Sequence, residues 1–322
     1  MNQLELLTQV PTQEDIDTTH QAIADLIHRT PVLTCESLDR MTGAKLFFKC
    51  ENFQKIGAFK MRGAANAAAR LSPEQRARGL ATHSSGNHAQ AVARAAQVLG
   101  VPAYIVMPNN APAVKVAATK GYGAEVVFCE NTPEAREAGL EEVVARTGAY
   151  FIHPFNDYNV IAGQATAAKE LIEDVDNIFD ILMAPVGGGG LMSGTALSGR
   201  YYAPTSKVIG AEPQMVDDAY RSFHSGQIEK NETTATIADG LRTYLGPKTF
   251  GIIREHVDDI LTVSVEAIVI AMRHTWERMK IIIEPSCAVP LAAILTYPDH
   301  FKGQRVGIIL TGGNVDVTNL PF

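Results

Sequence analysis

Residues 46–69 read LFFKCENFQKIGAFKMRGAANAAA, and this stretch predicts a strand, a loop and a helix in succession. The apolar run at 46–50 is typical of a buried strand, and the alanine-rich segment after Lys60 is typical of a helix. Strand and helix patterns keep alternating along the rest of the chain. Because parallel strands are joined by crossover helices, this alternation predicts an α/β fold of mostly parallel, twisted sheets covered by helices.

About nine apolar runs follow this alternation, which is more than one twisted sheet holds comfortably. They read LFFKCE, LATHSS, AYIVMP, EVVFCE, YFIHP, DILMAPV, KVIGAEP, DDILTVS and RVGIILTGG. The chain has 322 residues and 46% hydrophobic content, enough for two moderate cores. We therefore expect two lobes, each built on its own sheet.

The composition limits the kinds of partner that the protein is expected to have and the cellular compartment in which it is expected to occur. A net charge of −7, with no basic run interleaved with aromatic residues, makes a nucleic-acid partner unexpected. The four cysteines are scattered, as is typical of reduced thiols: Cys35, Cys50, Cys129 and Cys287. The start MNQLELLTQV is unlike a secretory signal, and no run approaches the ~20 apolar residues of a membrane span. We expect a cytoplasmic protein with no membrane partner.

Two loops on different parts of the chain carry complementary chemistry. Lys60 directly follows the aromatic Phe59 and supplies an amine that can form a Schiff base. The run VGGGG at 186–190 lets backbone N–H groups approach a phosphate at the start of a helix. A dinucleotide fingerprint fails here, because its third glycine falls on Met192 or Ser193. An amine and a phosphate nest together are what pyridoxal phosphate needs.

Five motifs in order along the chain resemble one enzyme family: the fold type II, pyridoxal-phosphate-dependent serine racemases, serine/threonine dehydratases and L-threo-3-hydroxyaspartate ammonia-lyases. They are TPVL at 30–33, GAFKMRGA at 57–64, SSGNHAQA at 84–91, GGGG at 187–190 and TGGNVD at 311–316. The resemblance implies a tryptophan synthase β-like fold, with a large cofactor-binding domain at 1–78 and 154–322 and a small domain at 79–153. It also implies a homodimer.

The resemblance implies two acid/base groups on opposite faces of the substrate. Lys60 would hold the cofactor and then remove the α-proton, and Ser85 would act from the other face. Elimination needs only one such group, whereas racemisation requires both.

The resemblance also assigns the residues around these two groups. The cofactor residues would be Phe59, Lys60, Asn87, Gly187, Gly188, Gly189, Gly190, Leu191 and Thr311. The substrate residues would be Ser84, Ser85, Asn87, His88, Arg136 and Thr243. Thr311 would lie beside the pyridine nitrogen, where a neutral hydroxyl does not force protonation, so β-elimination and modest racemisation are expected.

A divalent cation and a nucleotide are the further ligands that the resemblance raises. Glu212, the Val216 carbonyl and Asp218 match a site for Mg²⁺, or for Ca²⁺ or Mn²⁺, since oxygen ligands suit these cations. Lys115 and Tyr122 fit the nucleotide pattern of the family. The hydroxyl residues of that pattern are replaced by Cys35, Glu36 and Ile56, and an acid at position 36 repels phosphate, so we expect weak or absent ATP activation.

The expected reaction is elimination of the β-hydroxyl of a small amino acid to a keto acid and ammonia, with or without racemisation. L-Serine, L-threonine and L-threo-3-hydroxyaspartate are the candidate substrates, and Arg136 near the β-substituent would favour a second carboxylate. Two alternatives remain open. One is β-replacement, as in cysteine or cystathionine synthesis, and the other is a non-catalytic member that only binds an amino acid.

Overall fold

The computed structural model describes residues 4–111, 113–176 and 179–322, and these residues form ten strands. The strands are β1 (Val32–Thr34), β2 (Lys45–Cys50), β3 (Leu80–His83), β4 (Ala103–Pro108), β5 (Glu125–Cys129), β6 (Tyr150–Phe151), β7 (Ile181–Pro185), β8 (Lys207–Pro213), β9 (Asp259–Val263) and β10 (Arg305–Leu310). The nine apolar runs of the sequence all appear among them. The expected number was one too low, because β1 has only three residues and its apolar pattern is too short to recognise.

The strands form two sheets, and only the pair of β1 and β2 is antiparallel among the described pairings. The larger sheet has the order β1-β2-β10-β7-β8-β9, and the smaller has the order β5-β4-β3-β6. The predicted α/β class with two mostly parallel sheets is confirmed. Since β10 lies between β2 and β7, the loops that follow these three strands emerge side by side.

Fourteen α-helices occur in the described ranges and cover the sheets. They are α1 (Gln13–Ile23), α2 (Glu36–Thr42), α3 (Lys60–Ala69), α4 (Pro73–Ala77), α5 (Asn87–Leu99), α6 (Ala113–Gly121), α7 (Pro133–Thr147), α8 (Tyr158–Asp174), α9 (Gly190–Tyr202), α10 (Asp218–Ser225), α11 (Pro247–His256), α12 (Val265–His274), α13 (Pro285–Thr296) and α14 (Pro298–Phe301). None of the described helices combines the length and apolar character needed to cross a membrane. The domain boundaries at 78/79 and 153/154 stay a prediction.

Helices α3 and α8 cross with their backbones almost in contact. A Cβ added to Gly163 would lie 2.5 Å from the Arg62 carbonyl oxygen and 2.6 Å from Gly63 Cα. A Cβ on Gly63 would lie 2.4 Å from Gln164 Nε2. Glycine is therefore needed on both helices, and the crossing fixes the depth at which the first residue of α3, Lys60, is held.

A buried ionic network adds to the contact between α3 and α8 and links both helices to the end of β2. The guanidinium of Arg62 donates to Glu51 at 2.7 Å and to Glu170 at 2.8 Å, and all three side chains are fully buried. Lys49 joins the network at 2.8 Å from Glu170. Burial alone would lower the pKa of Arg62, but the two carboxylates raise it above its ordinary value. The network ties β2 and α8 to the helix that begins at Lys60.

Candidate active site

The loops after β2 and β10 are joined by backbone hydrogen bonds. The Phe59 N–H donates to the Thr311 carbonyl at 3.0 Å, and the Gly313 N–H donates to the Gly57 carbonyl at 3.0 Å. Ala58 and Gly312 form an isolated antiparallel bridge. The lysine loop and the TGGN loop are therefore bonded to each other side by side, as expected for loops that follow the neighbouring strands β2 and β10.

Lys60 is the first residue of α3 and is half-buried. Its Nζ donates to the Pro154 carbonyl at 2.8 Å and lies 5.2 Å from the centroid of the Phe59 ring. Burial lowers the pKa of Lys60 to about 8, and the negative charge of Glu284 opposes this effect. A substantial neutral fraction of the amine is therefore present near neutral pH, as nucleophilic attack on an aldehyde requires.

The glycine loop after β7 leads directly into α9, which begins at Gly190. Gly189 has a φ of 86°, a left-handed conformation that favours glycine. A Cβ on Gly188 would lie 2.3 Å from the Phe155 ring, so a side chain there would displace that ring. The N–H groups in the first turn of a helix have no partner within it, so this loop presents donors and a positive dipole end to an anion.

Thr311 directly follows β10, the strand beside the one that leads into the glycine loop. Its residue is 3% exposed, and its Oγ1 has no nitrogen or oxygen partner among the described residues, with only the weakly bonding Cys287 thiol beside it. A buried hydroxyl without a partner is unfavourable unless a ligand supplies one. The Lys60 amine, the donors of the glycine loop and this hydroxyl together fit an aldehyde-bearing pyridine with a phosphate group, which is the chemistry of pyridoxal phosphate.

The loop SSGN lies between β3 and α5, and α5 packs against α3. Ser84 Oγ accepts from the Gly86 N–H at 3.3 Å, and Asn87 begins α5. Ser84, Ser85 and Asn87 are all half-buried. The start of α5 adds a second set of free N–H groups, suited to a carboxylate.

His88 lies just inside α5 and is held by the backbone. Its Nε2 is 3.0 Å from the Ile152 carbonyl oxygen, and the residue is 3% exposed. Burial, with the positive charge of Lys60, moves the pKa of His88 well below its ordinary value. The imidazole is therefore neutral and connects α5 to the end of β6.

Two residues beside Asn87 were missed in the analysis of the sequence. Asn87 Nδ2 lies 2.9 Å from Glu284 Oε1, and Asn314 Nδ2 donates to Asn87 Oδ1 at 2.9 Å. Glu284 is buried and stands immediately before α13. The sequence did carry a signal for Glu284, because it is the single acid in the apolar run IIIEPSCAV. An acid in such a run is expected to be buried and to need a partner.

A row of aromatic rings flanks Pro154, whose carbonyl accepts from Lys60, and it too was missed. His153 packs edge-on against Phe155 at 4.7 Å and tilted against Phe151 at 5.6 Å, and His83 stacks on Phe151 at 5.7 Å. His153 Nδ1 accepts the Phe155 and Asn156 N–H groups at 3.2 and 2.9 Å. Burial lowers the pKa of His153 to about 4, so its Nε2 carries the remaining proton.

The two residues expected at the substrate's β-substituent lie in different surroundings. Arg136, on α7, donates through Nη2 to Asn131 at 2.6 Å, while its buried Nε has no partner in the described part of the chain. Burial and the charge of Arg136 lower the pKa of His83. Thr243 is exposed and forms no hydrogen bond with another site residue within the described part of the chain.

The expected cation ligands lie at the end of β8 and the start of α10. Glu212 and Asp218 are fully buried. Glu212 accepts from the Ala219 and Tyr220 N–H groups, and Asp218 Oδ2 accepts from the Leu245 N–H at 3.2 Å. Burial and the neighbouring Asp218 move the pKa of Glu212 well upward, and burial raises the pKa of Asp218 to about 7.

Lys115, one of the residues expected near a nucleotide, forms an ion pair with Asp239. The Arg94 guanidinium lies over the Tyr122 ring, with its Cζ 6.0 Å from the ring centroid. Glu36 is exposed and pairs with Arg40 at 2.6 Å. The Lys115 and Tyr122 side chains thus have partners within the chain, and the expectation of weak ATP activation stays a prediction.

Comparison with known proteins adds independent evidence. A family model described as pyridoxal-phosphate dependent enzyme matches residues 23–312. The beta-hydroxyaspartate dehydratase of Paracoccus denitrificans (strain Pd 1222) is 49% identical over 97% of this chain and 99% of the relative. The L-threo-3-hydroxyaspartate ammonia-lyase of Saccharomyces cerevisiae (strain ATCC 204508 / S288c) is 48% identical over 96% of this chain and 94% of the relative.

The solved structure of serine racemase from Dictyostelium discoideum has a TM-score of 0.91 and 49% identity to this chain, with 95% of this chain and 99% of that structure covered. The resemblance indicated by the five motifs is therefore confirmed. The chain belongs to the family of pyridoxal-phosphate dependent enzymes.

Proposed function

We propose that the enzyme eliminates water from a small β-hydroxy amino acid, releasing a keto acid and ammonium, and that it racemises part of the substrate. The observation that carries this proposal is the Lys60 amine, held at the start of α3 between the Pro154 carbonyl and the Phe59 ring with a pKa lowered by burial. Bound pyridoxal phosphate supplies an electron sink that acidifies the α-carbon. The residues of the chain supply binding, orientation and proton transfer.

The cofactor is assigned to residues whose free groups match it. Lys60 would hold the cofactor through its aldehyde, and Gly187, Gly188, Gly189, Gly190 and Leu191, at the start of α9, would hold its phosphate. Asn87 would donate to its phenolic oxygen, and Thr311, whose hydroxyl has no nitrogen or oxygen partner among the described residues, would contact its ring nitrogen. Phe59 would pack against the bound group. The orphaned hydroxyl and the glycine positions that admit no Cβ support this assignment.

Proton transfer is assigned to Lys60 and Ser85. Lys60 Nζ, free once the substrate amine has taken its place, would take the proton from the α-carbon, and the β-carbon–oxygen bond would break as the hydroxyl leaves as water with that proton. The enamine that remains takes up water and loses ammonium, which yields the keto acid. Ser85 Oγ returns a proton to the opposite face in the racemisation branch, so Ser85→Ala should abolish racemisation and retain elimination. Equal loss of both reactions would contradict this division.

The substrate is assigned by the groups around the cavity. Ser84, Ser85, Asn87 and His88 lie at the start of α5, where free N–H groups suit the α-carboxylate. Arg136 supports a second carboxylate on the β-carbon, because its buried Nε has no partner in the ranges described. The relatives named as acting on hydroxyaspartate agree with this. We therefore rank 3-hydroxyaspartate first and L-serine and L-threonine next, with Thr243 at the edge of the site.

A panel of L- and D-serine, L-threonine and L-threo-3-hydroxyaspartate, with keto acid, ammonium and enantiomers measured together, tests the assignment. Arg136→Met should lower kcat/KM for hydroxyaspartate by on the order of a hundredfold relative to serine, as loss of a charge-assisted pair costs about 2–3 kcal/mol. Arg146→Met, at the exposed end of the same helix, is the matched control. An unchanged ratio of the two substrates in Arg136→Met would contradict the role of Arg136.

The same assay separates the other two classes of function. Keto acid formed without an added thiol indicates elimination, whereas a β-replacement enzyme needs a second nucleophile. A non-catalytic binding protein would give no product and would keep its ligand unchanged. The intact Lys60 and the glycine loop favour a catalytic protein.

We also propose a divalent cation, Mg²⁺ or the related Ca²⁺ or Mn²⁺, on Glu212, Asp218 and the Val216 carbonyl. Two fully buried acids with raised pKa values support it, because a cation relieves their repulsion. Leu245 connects the cation site to the glycine loop. Its N–H donates to Asp218, and its side chain would lie 2.7 Å from a Cβ added to Gly189.

Assembly and location complete the proposal. The family resemblance favours a homodimer, and sedimentation analysis tests it. The free thiols of all four cysteines support a cytoplasmic location. The smaller sheet lies within residues 80–151, which supports a small domain at 79–153 and a large domain formed by 1–78 and 154–322.

A further inference from the structure

Glu284 is a buried carboxyl group next to the cofactor residues, and none of the steps proposed above uses it. The residue is 3% exposed and stands immediately before α13. Its Oε1 and Oε2 lie 2.9 and 3.2 Å from Asn87 Nδ2. Its own N–H donates to the Gly312 carbonyl at 3.0 Å. The carboxyl group is thus fixed to the loop that carries Thr311.

The hydrogen bonds determine which way the Asn87 amide points. Asn314 Nδ2 donates to the Ile56 carbonyl at 2.8 Å, and a carbonyl oxygen only accepts, so the nitrogen of that amide is assigned. The same nitrogen donates to Asn87 Oδ1 at 2.9 Å. Asn87 therefore turns its nitrogen toward Glu284, and an ionised carboxylate, which only accepts, matches that arrangement. An amide nitrogen has two hydrogens, so one remains for another acceptor.

Four titratable groups face Glu284 from the elements around it: Lys60 on α3, Lys115 on α6, Asp239 in the turn before Leu241 and Cys287 on α13. Burial and the charge of Asp239 raise the pKa of Glu284 to about 7, against the effects of Asn87 and Lys115. The group therefore changes its charge close to neutral pH. In its ionised form it opposes the burial that lowers the pKa of Lys60.

We propose that Glu284 is a positioning residue whose carboxylate orients the Asn87 amide as a donor and provides the negative charge that the Lys60 amine faces. The inference rests on the proposed roles of Asn87 and Lys60. Protonation of Glu284 removes both effects at once. It leaves the Asn87 amide without its anionic acceptor, and it makes the Lys60 amine easier to deprotonate. The first effect should lower activity as the pH falls through the titration of Glu284, because the Asn87 amide is then no longer held as a donor, and the easier deprotonation of Lys60 does not restore that orientation.

The test compares Glu284→Gln with Asp239→Asn, a variant that alters the charge near Glu284 without touching Asn87. In apoprotein, reductive methylation followed by mass spectrometry of the Lys60 peptide gives the pKa of that amine. Glu284→Gln should lower it by on the order of one unit, because an opposite charge nearby is lost. In holoenzyme, the decline of kcat/KM and of the cofactor's absorbance on the acid side should disappear. In Asp239→Asn the same decline should move to lower pH, because Glu284 then ionises more easily.

Thermal unfolding establishes that each variant is folded before it is measured. An unchanged Lys60 titration together with an unchanged acid-side decline in folded Glu284→Gln would overturn the proposal. If Glu284→Gln does not fold, Asp239→Asn decides alone, and a decline that stays in place or moves to higher pH overturns it. The apoprotein titration is independent of the proposed function, since a chain that never forms a linkage through Lys60 would still report the charge of Glu284.

Discussion

Thr311 carries a hydroxyl that is buried and has no nitrogen or oxygen partner within the described ranges. Leaving a buried polar group unpaired costs roughly 1–3 kcal/mol, so the apoprotein retains it at the expense of stability. Lys60 is in a comparable position, because its burial lowers the pKa of the amine instead of being offset by a salt bridge. Both residues are unfavourable for the empty protein and favourable for a bound cofactor, which is the usual sign of a functional site.

Thr311→Val separates the effect of the hydroxyl on apoprotein stability from its effect on cofactor binding, because valine keeps the shape of the side chain and removes the hydroxyl. We expect the apoprotein to keep its free energy of unfolding or to gain up to about 1 kcal/mol, and cofactor binding to weaken by roughly five- to tenfold. Thr275→Val is the matched control, since that buried hydroxyl already donates to the Ala271 carbonyl at 3.0 Å. Calorimetry and cofactor titration give both quantities. Wild-type affinity in Thr311→Val would show that the hydroxyl does not meet the cofactor.

Among the helices, α3 decides where the reactive amine lies. It is held against α8 by the contact of Gly63 with Gly163 and by the Arg62–Glu170 pair, and against the turn after β2 by the Arg62–Glu51 pair. Backbones this close leave no room for a methyl group, and overpacking of this kind costs about 1–3 kcal/mol. The position of Lys60 is thus set by contacts on the far side of its helix from the cofactor.

Gly163→Ala should therefore destabilise the protein by about 1–3 kcal/mol and reduce turnover, because α3 and Lys60 move together. Gly251→Ala is the control, since that glycine lies inside α11 with nothing within 4 Å of an added Cβ. The control should gain about 0.5–1 kcal/mol from helix propensity. Denaturant unfolding of both variants decides the matter, and equal effects in the two would refute the account of the crossing.

At the scale of the whole molecule, the order of strands brings distant loops to one edge. The loops after β2, β10 and β7 carry Lys60, Thr311 and the glycine run, and these strands are neighbours although they are far apart in sequence. Glu212 lies at the end of β8, which pairs with β7 in the same sheet, and Asp218 accepts from the Leu245 N–H. Ionisation of the Asp218 carboxyl group is therefore expected to change the free energy of unfolding of the protein.

The effect of Mg²⁺ on stability should depend on pH in a defined direction. Burial raises the pKa of Asp218 to about 7, so in the cation-free protein proton binding below that value stabilises the fold. Mg²⁺ binds only the ionised form, so its stabilising increment should be largest above pH ~7 and should vanish as the pH falls through that value. Thermal unfolding with Mg²⁺ and with chelator measures it. Asp218→Asn should lose the increment, and an increment independent of pH would contradict the site.

The fold class, the two sheets and the loops of the site could be predicted because alternating patterns and glycine-rich loops are local in sequence. Glu284 and His153 were missed because their roles depend on contacts with residues far along the chain, Glu284 with Asn87 and His153 with the rings around it. The Arg62 network was missed for the same reason, as an arginine in a helix is usually exposed.

The most direct test of the account is borohydride reduction of the enzyme with bound pyridoxal phosphate, followed by mass spectrometry of its peptides. Reduction should fix the cofactor covalently on Lys60 alone, and Lys60→Ala should be neither labelled nor coloured. Label on another lysine, or no label in a folded protein saturated with the cofactor, would contradict the central claim.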